Sequence, residues 1–210
     1  MKIGFIETGV MGAAIVGHLL KADYEVNVFN RTKSKTDPLV EQGAIWQETP
    51  QAVAQASDLI FTMVGSPEDV SDIYRREDGV FAGAGSEVIV VDLTTSTPTL
   101  AQELFEDGRS RGIQVLDAPV SGGDIGARNA SLSIMVGGDQ EAYAQILPVL
   151  EVFGKTIEHV GLAGSGQHMK VANQIMVAST LLGTGETLAY AKSASLDLEQ
   201  MLRIVGNGAA

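Results

Sequence analysis

The chain has 210 residues, 45% of them apolar, enough to bury roughly 70% of the unfolded surface in one large domain or one domain and part of a second. A formal net charge of -12, from 14 basic and 26 acidic residues, disfavours nonspecific binding to nucleic acid or an anionic membrane while leaving room for a local basic pocket. With no cysteine, disulfides and thiolate chemistry are excluded, and with no leader and no apolar run of bilayer length a soluble, cytoplasmic protein is expected.

Residues Lys2–Ile6 form an apolar run that reads as a strand, and Gly9 and Gly12 follow in a turn that leads into an amphipathic stretch. A second strand, Glu25–Phe29, stops at Asn30-Arg31-Thr32. This order predicts a βαβ unit that binds a dinucleotide, with the backbone N–H groups of Gly9, Val10, Met11 and Gly12 at the helix start meeting the pyrophosphate. Glu7 stands where the first glycine of G-x-G-x-x-G belongs. Its carboxylate is expected to crowd the turn and to repel the diphosphate, weakening affinity; a side chain swung outward to solvent and harmless is the alternative. At the end of the second strand a carboxylate would select the NAD diol and a cation the NADP 2′-phosphate. Arg31, with Asn30, Thr32 and Lys35, therefore points to NADP(H) in preference to NAD(H); a solvated arginine at a strand end is the plainer alternative.

Further apolar runs at Asp58–Val64, Val88–Asp92, Ile113–Asp117 and Leu132–Val136 alternate with polar or helical stretches. The alternation predicts a mostly parallel sheet covered by helices on both faces. Val91-Asp92-Leu93-Thr94-Thr95-Ser96 ends a strand in hydroxyl residues that could equally cap the next helix. Ser121-Gly122-Gly123 offers a hydroxyl and unobstructed N–H donors suited to a carboxylate, though an ordinary turn uses such glycines too. No His, Asp or Glu grouping has metal-ligand spacing.

From Ser165 the period changes to one long helix reaching about Ser193, and a shorter one, Leu198–Val205, runs into Gly206-Asn207-Gly208. The boundary is accordingly placed between residues 163 and 164, separating a dinucleotide-binding domain (1–163) from a long helix and the start of an all-α domain (164–210). Within the long helix Lys170, Asn173 and Gln174 stand at i, i+3 and i+4 and share a face. An apolar stripe of Ile175, Met176, Leu181, Leu182 and Leu188 predicts a homodimer through this helix.

GFIETGVMG, NRT, TMVGSPEDV, VDLTTSTP, DAPVSGGDIGA, IMVGG and GSGQHMKVANQ together resemble the β-hydroxyacid dehydrogenase family, in register over essentially the whole chain. The resemblance implies a Rossmann-type doubly wound sheet and a nicotinamide cofactor. It implies a small carboxylate-bearing aldehyde or hydroxy acid as substrate. It implies that Met63 and Val64 line the adenosine-diphosphate side, that Thr95 contacts the cofactor near the nicotinamide, and that Ser121, Gly122 and Gly123 hold the substrate carboxylate. Lys170 would be the catalytic acid/base, with Asn173 and Gln174 positioning it and the substrate. Family members continue into a helical domain beyond this length, so the chain is expected to be truncated there. A non-catalytic relic that still binds dinucleotide is the rival reading; an imine or other carbonyl reductase is disfavoured by Lys170 and the Ser-Gly-Gly.

Overall fold

The computed structural model describes residues 1–208. The chain runs β1 (Lys2–Ile6), α1 (Val10–Lys21), β2 (Glu25–Phe29), a 3-10 turn (Lys33–Lys35), α2 (Asp37–Val40), β3 (Ile45–Trp46), α3 (Pro50–Gln55), β4 (Leu59–Thr62), α4 (Pro67–Arg75) and α5 (Val80–Gly83). It continues through β5 (Ile89–Asp92), α6 (Pro98–Arg109), β6 (Gln114–Asp117), β7 (Val120–Ser121), α7 (Gly123–Arg128), β8 (Leu132–Gly137), α8 (Gln140–Leu150), β9 (Gly154–Gly161), α9 (Ser165–Ser193) and α10 (Leu198–Gly206). Contacts divide it into two compact units, Met1–Lys170 and a second from Val171 onward.

In the first unit the strands lie in the order β3-β2-β1-β4-β5-β6-β8-β7, with β9 beside β8, the mostly parallel sheet that the alternating runs predict and the Rossmann-type arrangement that the resemblance implies. The pairs from β3 to β6 are parallel. The exception is β8, which runs antiparallel to β6 and β7 and parallel to β9.

Alternation along the strands feeds two cores. Ile3, Phe5, Val26, Val28, Leu59, Phe61 and Val91 face one side, where Ile15, Val16 and Leu19 of α1 and Ile146, Val149 and Leu150 of α8 complete the packing. Ile6, Ile60 and Val90 face the other, against Val53 of α3, Ile73 and Tyr74 of α4, Phe81 of α5 and Leu104 of α6. Gly4 belongs to the second face, and a Cβ there would lie 2.6 Å from Val53 Cγ1, so the residue lets α3 pack close to β1.

Helix starts follow a shared chemistry. α3, α4 and α6 begin Thr49-Pro50, Ser66-Pro67 and Thr97-Pro98, each hydroxyl accepting from the N–H three residues on, with proline pre-set for the first turn. Asp139 caps α8 in the same manner. α1 differs: its N-cap is Gly9, with no side-chain cap.

In the second unit α9 continues through Ile175, Met176, Leu181 and Leu182, all exposed, while Leu188 is half-buried. Asp197 caps α10 by accepting from Gln200 N–H. Among the described residues no helix is long and apolar enough to cross a membrane.

Candidate functional site

Parallel register carries five strand ends to one line: Phe29 pairs with Ile6, Ile6 with Thr62, Thr62 with Asp92 and Asp92 with Asp117. The segments that leave those ends, Glu7–Gly9, Asn30–Thr32, Met63–Val64, Leu93–Ser96 and Ala118–Gly123, therefore gather along the carboxyl edge of the sheet. In open α/β sheets that edge is where ligands bind.

At the first two ends the chain builds a cradle. Gly12 packs so tightly that a Cβ would lie 2.6 Å from Glu7 O and 2.8 Å from the Phe5 ring, whereas a Cβ at Gly9 would meet nothing within 4 Å. The N-terminus of α1 is thus uncapped by any side chain and open in front, with Val10 exposed and Met11 half-buried beside it. Backbone donors and the helix dipole there suit a diphosphate. Beside this cradle a small cavity is bounded by Glu7, Phe29, Arg31, Val64, Gly65 and Asp69.

Asn30 and Glu7 sit otherwise than their sequence suggests. Asn30, expected among the cofactor contacts, is 3% exposed. Its Oδ1 accepts from Thr8 N–H at 2.9 Å and its Nδ2 donates to Thr32 O at 3.0 Å, so it ties the first loop to the second from inside. Lys35 is exposed on the 3-10 turn and is not on the cavity wall, and Thr32 is likewise exposed. Glu7 has φ 71°, the left-handed conformation natural to the glycine it replaces. Its Oε1 accepts from Arg31 N–H at 2.8 Å. The carboxylate is turned to the end of β2, not to the start of α1, which corrects the expectation that it confronts the diphosphate.

Arg31 does line the cavity, with its guanidinium exposed and 3.5 Å from Asp69 Oδ1. Arg76 lines the same cavity and was not anticipated. Met63 and Val64 are half-buried at the next strand end. Val64 N–H donates to Thr94 Oγ1 at 3.0 Å, which links the loops after β4 and β5. Thr94 is buried and Thr95 exposed, so Thr95 is the one presented outward.

Below these loops lies a buried polar network. Asp92 Oδ1 accepts from Thr62 Oγ1 at 2.9 Å and from Thr94 N–H at 3.1 Å, and Thr62 Oγ1 lies 3.1 Å from the Tyr74 hydroxyl. Burial pushes the Asp92 carboxyl up to about 6 despite these bonds, because desolvation disfavours the charged form. Burial also raises the Tyr74 phenol, aided by the charge of Asp92.

The last strand end holds the long helix. Asp117 is 4% exposed, and its carboxylate accepts from Gly164 N–H at 2.8 Å and Gln167 N–H at 2.9 Å. A buried carboxylate thereby serves as a cap for α9 supplied from β6. Its carboxyl is raised by burial, against the pull of those backbone bonds. Gln167, 1% exposed, spans to the neighbouring loop: Oε1 accepts from Ser96 N–H at 2.9 Å and Nε2 donates to Thr94 O at 2.8 Å. Asp92, Asp117 and Gln167 all lie in segments that the sequence singles out, yet residue type alone gave them no role. The readable signal was an acidic residue closing each of two largely apolar strands.

One turn later Lys170 is 8% exposed, with Nζ donating to Val120 O at 2.8 Å. That carbonyl immediately precedes Ser121-Gly122-Gly123. Ser121 is half-buried, Gly122 and Gly123 are exposed, and both glycines have positive φ, 131° and 62°, a path that side chains resist. The structure thus brings Lys170, Ser121, Gly122 and Gly123 together. Burial lowers the Lys170 ammonium from its usual value. Asn173, half-buried with Oδ1 unpartnered among the described residues, and exposed Gln174 belong to the second unit.

A family model described as the NAD binding domain of 6-phosphogluconate dehydrogenase matches residues 2–161. Another, described as NAD-binding of NADP-dependent 3-hydroxyisobutyrate dehydrogenase, matches residues 164–210. The chain is 45% identical over 210 residues to the "Probable 3-hydroxyisobutyrate dehydrogenase-like 1, mitochondrial" of Arabidopsis thaliana, covering 100% of this chain and 63% of that protein. It is 42% identical over 208 residues to the "Uncharacterized oxidoreductase YkwC" of Bacillus subtilis, covering 99% and 72%. Among solved structures, "Psf3 in complex with NADP+ and 2-OPP" superposes with a TM-score of 0.91 at 36% identity, covering 98% of this chain and 73% of that one. The chain spans about two thirds of the length of these curated relatives.

Proposed function

Because the chain belongs to the β-hydroxyacid dehydrogenase family, we propose that it interconverts a small 3-hydroxy acid and its semialdehyde, with NADP(H) preferred and Lys170 as acid/base. The observation that carries this reading is the position of Lys170. A largely buried ammonium stands 2.8 Å from the carbonyl that leads into Ser121-Gly122-Gly123, on a helix start fixed by Asp117 and Gln167 at the carboxyl edge of the sheet.

The open start of α1 would hold the diphosphate of the dinucleotide, Arg31 the adenosine end, and Thr95 the nicotinamide end. When bound in reduced form, the dinucleotide supplies a hydride to the carbonyl carbon of the substrate. The chain's own residues do the rest. Ser121 and the N–H groups of the Gly122-Gly123 turn hold the substrate carboxylate. Lys170 donates a proton to the carbonyl oxygen as negative charge develops there, and its positive charge stabilises that oxygen. In the oxidative direction the same residue must be neutral to accept the proton, and burial favours that form. The anchoring bond to Val120 O uses one of the three ammonium protons, leaving two for substrate.

The proposed setting is the cytoplasm, where cell fractionation would find it, and the proposed assembly is a homodimer through α9. Exposed Ile175, Met176, Leu181 and Leu182 support that assembly, and a monodisperse monomer in light scattering at micromolar concentration refutes it. The test of function is titration of the chain with NADPH and NADH, then a panel of small semialdehydes with wild type and Lys170→Ala. Turnover lost in the variant with dinucleotide binding kept is expected; equal turnover removes Lys170 from the chemistry. Binding without turnover in the wild type favours a relic.

A further inference from the structure

We infer that Glu7 is a specificity-determining residue for the adenosine ribose, gripping the 2′,3′-diol of NAD(H) and opposing the 2′-phosphate of NADP(H). The inference rests on the reading that the carboxyl edge of the sheet binds a dinucleotide. A carboxylate that selects NAD ordinarily comes from the end of the second strand and accepts from the ribose hydroxyls. Here the second strand ends in Asn30, which is buried and engaged with Thr8 and Thr32, and in Arg31. No acidic side chain is available at the end of that strand. The first strand supplies one instead.

Three observations place the Glu7 carboxylate at the ribose position. Its Oε1 is fixed by Arg31 N–H at 2.8 Å, so the group lies at the end of β2 although it departs from β1. Glu7 lines the same cavity as Phe29, Arg31 and Val64, on the adenosine side of the diphosphate cradle at α1. Its other oxygen has no hydrogen-bond partner among the described residues, leaving an acceptor for a hydroxyl. The backbone geometry gives the side chain this reach: at φ 71° the residue follows the path of the glycine it replaces, and its side chain crosses to the neighbouring strand end.

Arg31 and Glu7 then act in opposition on one ribose. The guanidinium attracts a 2′-phosphate, but it already faces Asp69 at 3.5 Å. The carboxylate accepts from a diol and repels a phosphate carrying roughly two negative charges. At a separation of about 4–6 Å such repulsion corresponds to about tenfold or more in affinity after screening. The expected result is a chain that uses both dinucleotides, with a preference for NADP(H) much narrower than Arg31 alone would set.

The test measures dissociation constants of NADPH and NADH, by calorimetry or nicotinamide fluorescence, for wild type, Glu7→Gln and Arg31→Ala. Glu7→Gln keeps size and one acceptor but removes the charge, and should shift the NADPH-to-NADH affinity ratio about tenfold towards NADPH, more at low salt. Arg31→Ala should move the ratio the opposite way. If Glu7→Gln does not fold, Glu7→Gly, suited to the left-handed backbone, is read in the same way and should tighten NADPH while weakening NADH. Both dinucleotides binding with an unchanged ratio overturns the role of Glu7 and leaves the dinucleotide site standing. Failure of the wild type to bind either one overturns both.

Discussion

Replacing Asp92 by asparagine removes a buried titratable group while keeping its shape. Asp92 is 5% exposed at the end of β5, and burial carries its carboxyl from 3.8 to about 6. Between those values the native chain binds the proton more tightly than the unfolded chain does. The associated stability is therefore fully present below about pH 4 and is lost as pH rises through about 6. A displacement of that size corresponds to about 3 kcal/mol. Asparagine keeps the oxygen that accepts from Thr62 and Thr94 and carries no charge, but its amide must find an acceptor, at a cost of about 1 kcal/mol. Asp92→Asn should thus be more stable than wild type by about 1–3 kcal/mol at pH 8, and equal or less stable near pH 4. Urea unfolding followed by the fluorescence of Trp46, the single tryptophan, measures both proteins across that range. Asp117, also raised by burial, adds to the upward shift of Asp92 by its charge, so the difference between the curves reports Asp92 together with its coupling to Asp117. Parallel curves would refute the reasoning.

Gly166→Ala should lower stability by about 2–4 kcal/mol, because a Cβ there would lie 2.3 Å from Met135 O and 2.7 Å from Asp117 O; thermal unfolding at the wild-type temperature contradicts this. Gln167→Leu should strand Ser96 N–H and Thr94 C=O and destabilise by about 2–4 kcal/mol, with faster hydrogen exchange at the Ser96 amide; unchanged protection there would rule out the bridge. Lys170→Ala should reduce kcat by a factor on the order of 10² or more. In the oxidative direction wild-type kcat should rise with pH through an apparent pKa below the usual lysine value of 10.5, since the base must be neutral; a profile flat across that range would remove the lysine from the proton transfer.

The six apolar runs correspond to β1, β2, β4, β5, β6 and β8 because burial on both faces writes a continuous apolar signal. β3 and β7 are two residues each, too short to show a period, and β9 is half-exposed with Lys155, Glu158 and His159 in it. The reversal of β8 had no local mark, since strand direction is set by partners distant in sequence, here Asp117 and Val120. Lys170 and the Ser-Gly-Gly stand out in the sequence by residue type, and the structure sets the lysine against the carbonyl that precedes Ser121. Asp92, Asp117 and Gln167 do not stand out, since their roles come from partners far along the chain. Glu7 was read from its size and charge in a tight turn; the neighbour that orients it is a backbone amide, which no residue type announces.

The bonds that place Lys170 also order events in time. Asp117 reaches α9 across 47 and 50 residues of sequence, Gln167 reaches Thr94 across 73, and Lys170 reaches Val120 across 50. Each closes a loop whose entropy must be met before the contact forms. The helix is held by local bonds, whereas the contact of its lysine with Val120 O spans 50 residues. A refolding chain should recover its helical circular dichroism before the long-range bonds of Asp117, Gln167 and Lys170 are made.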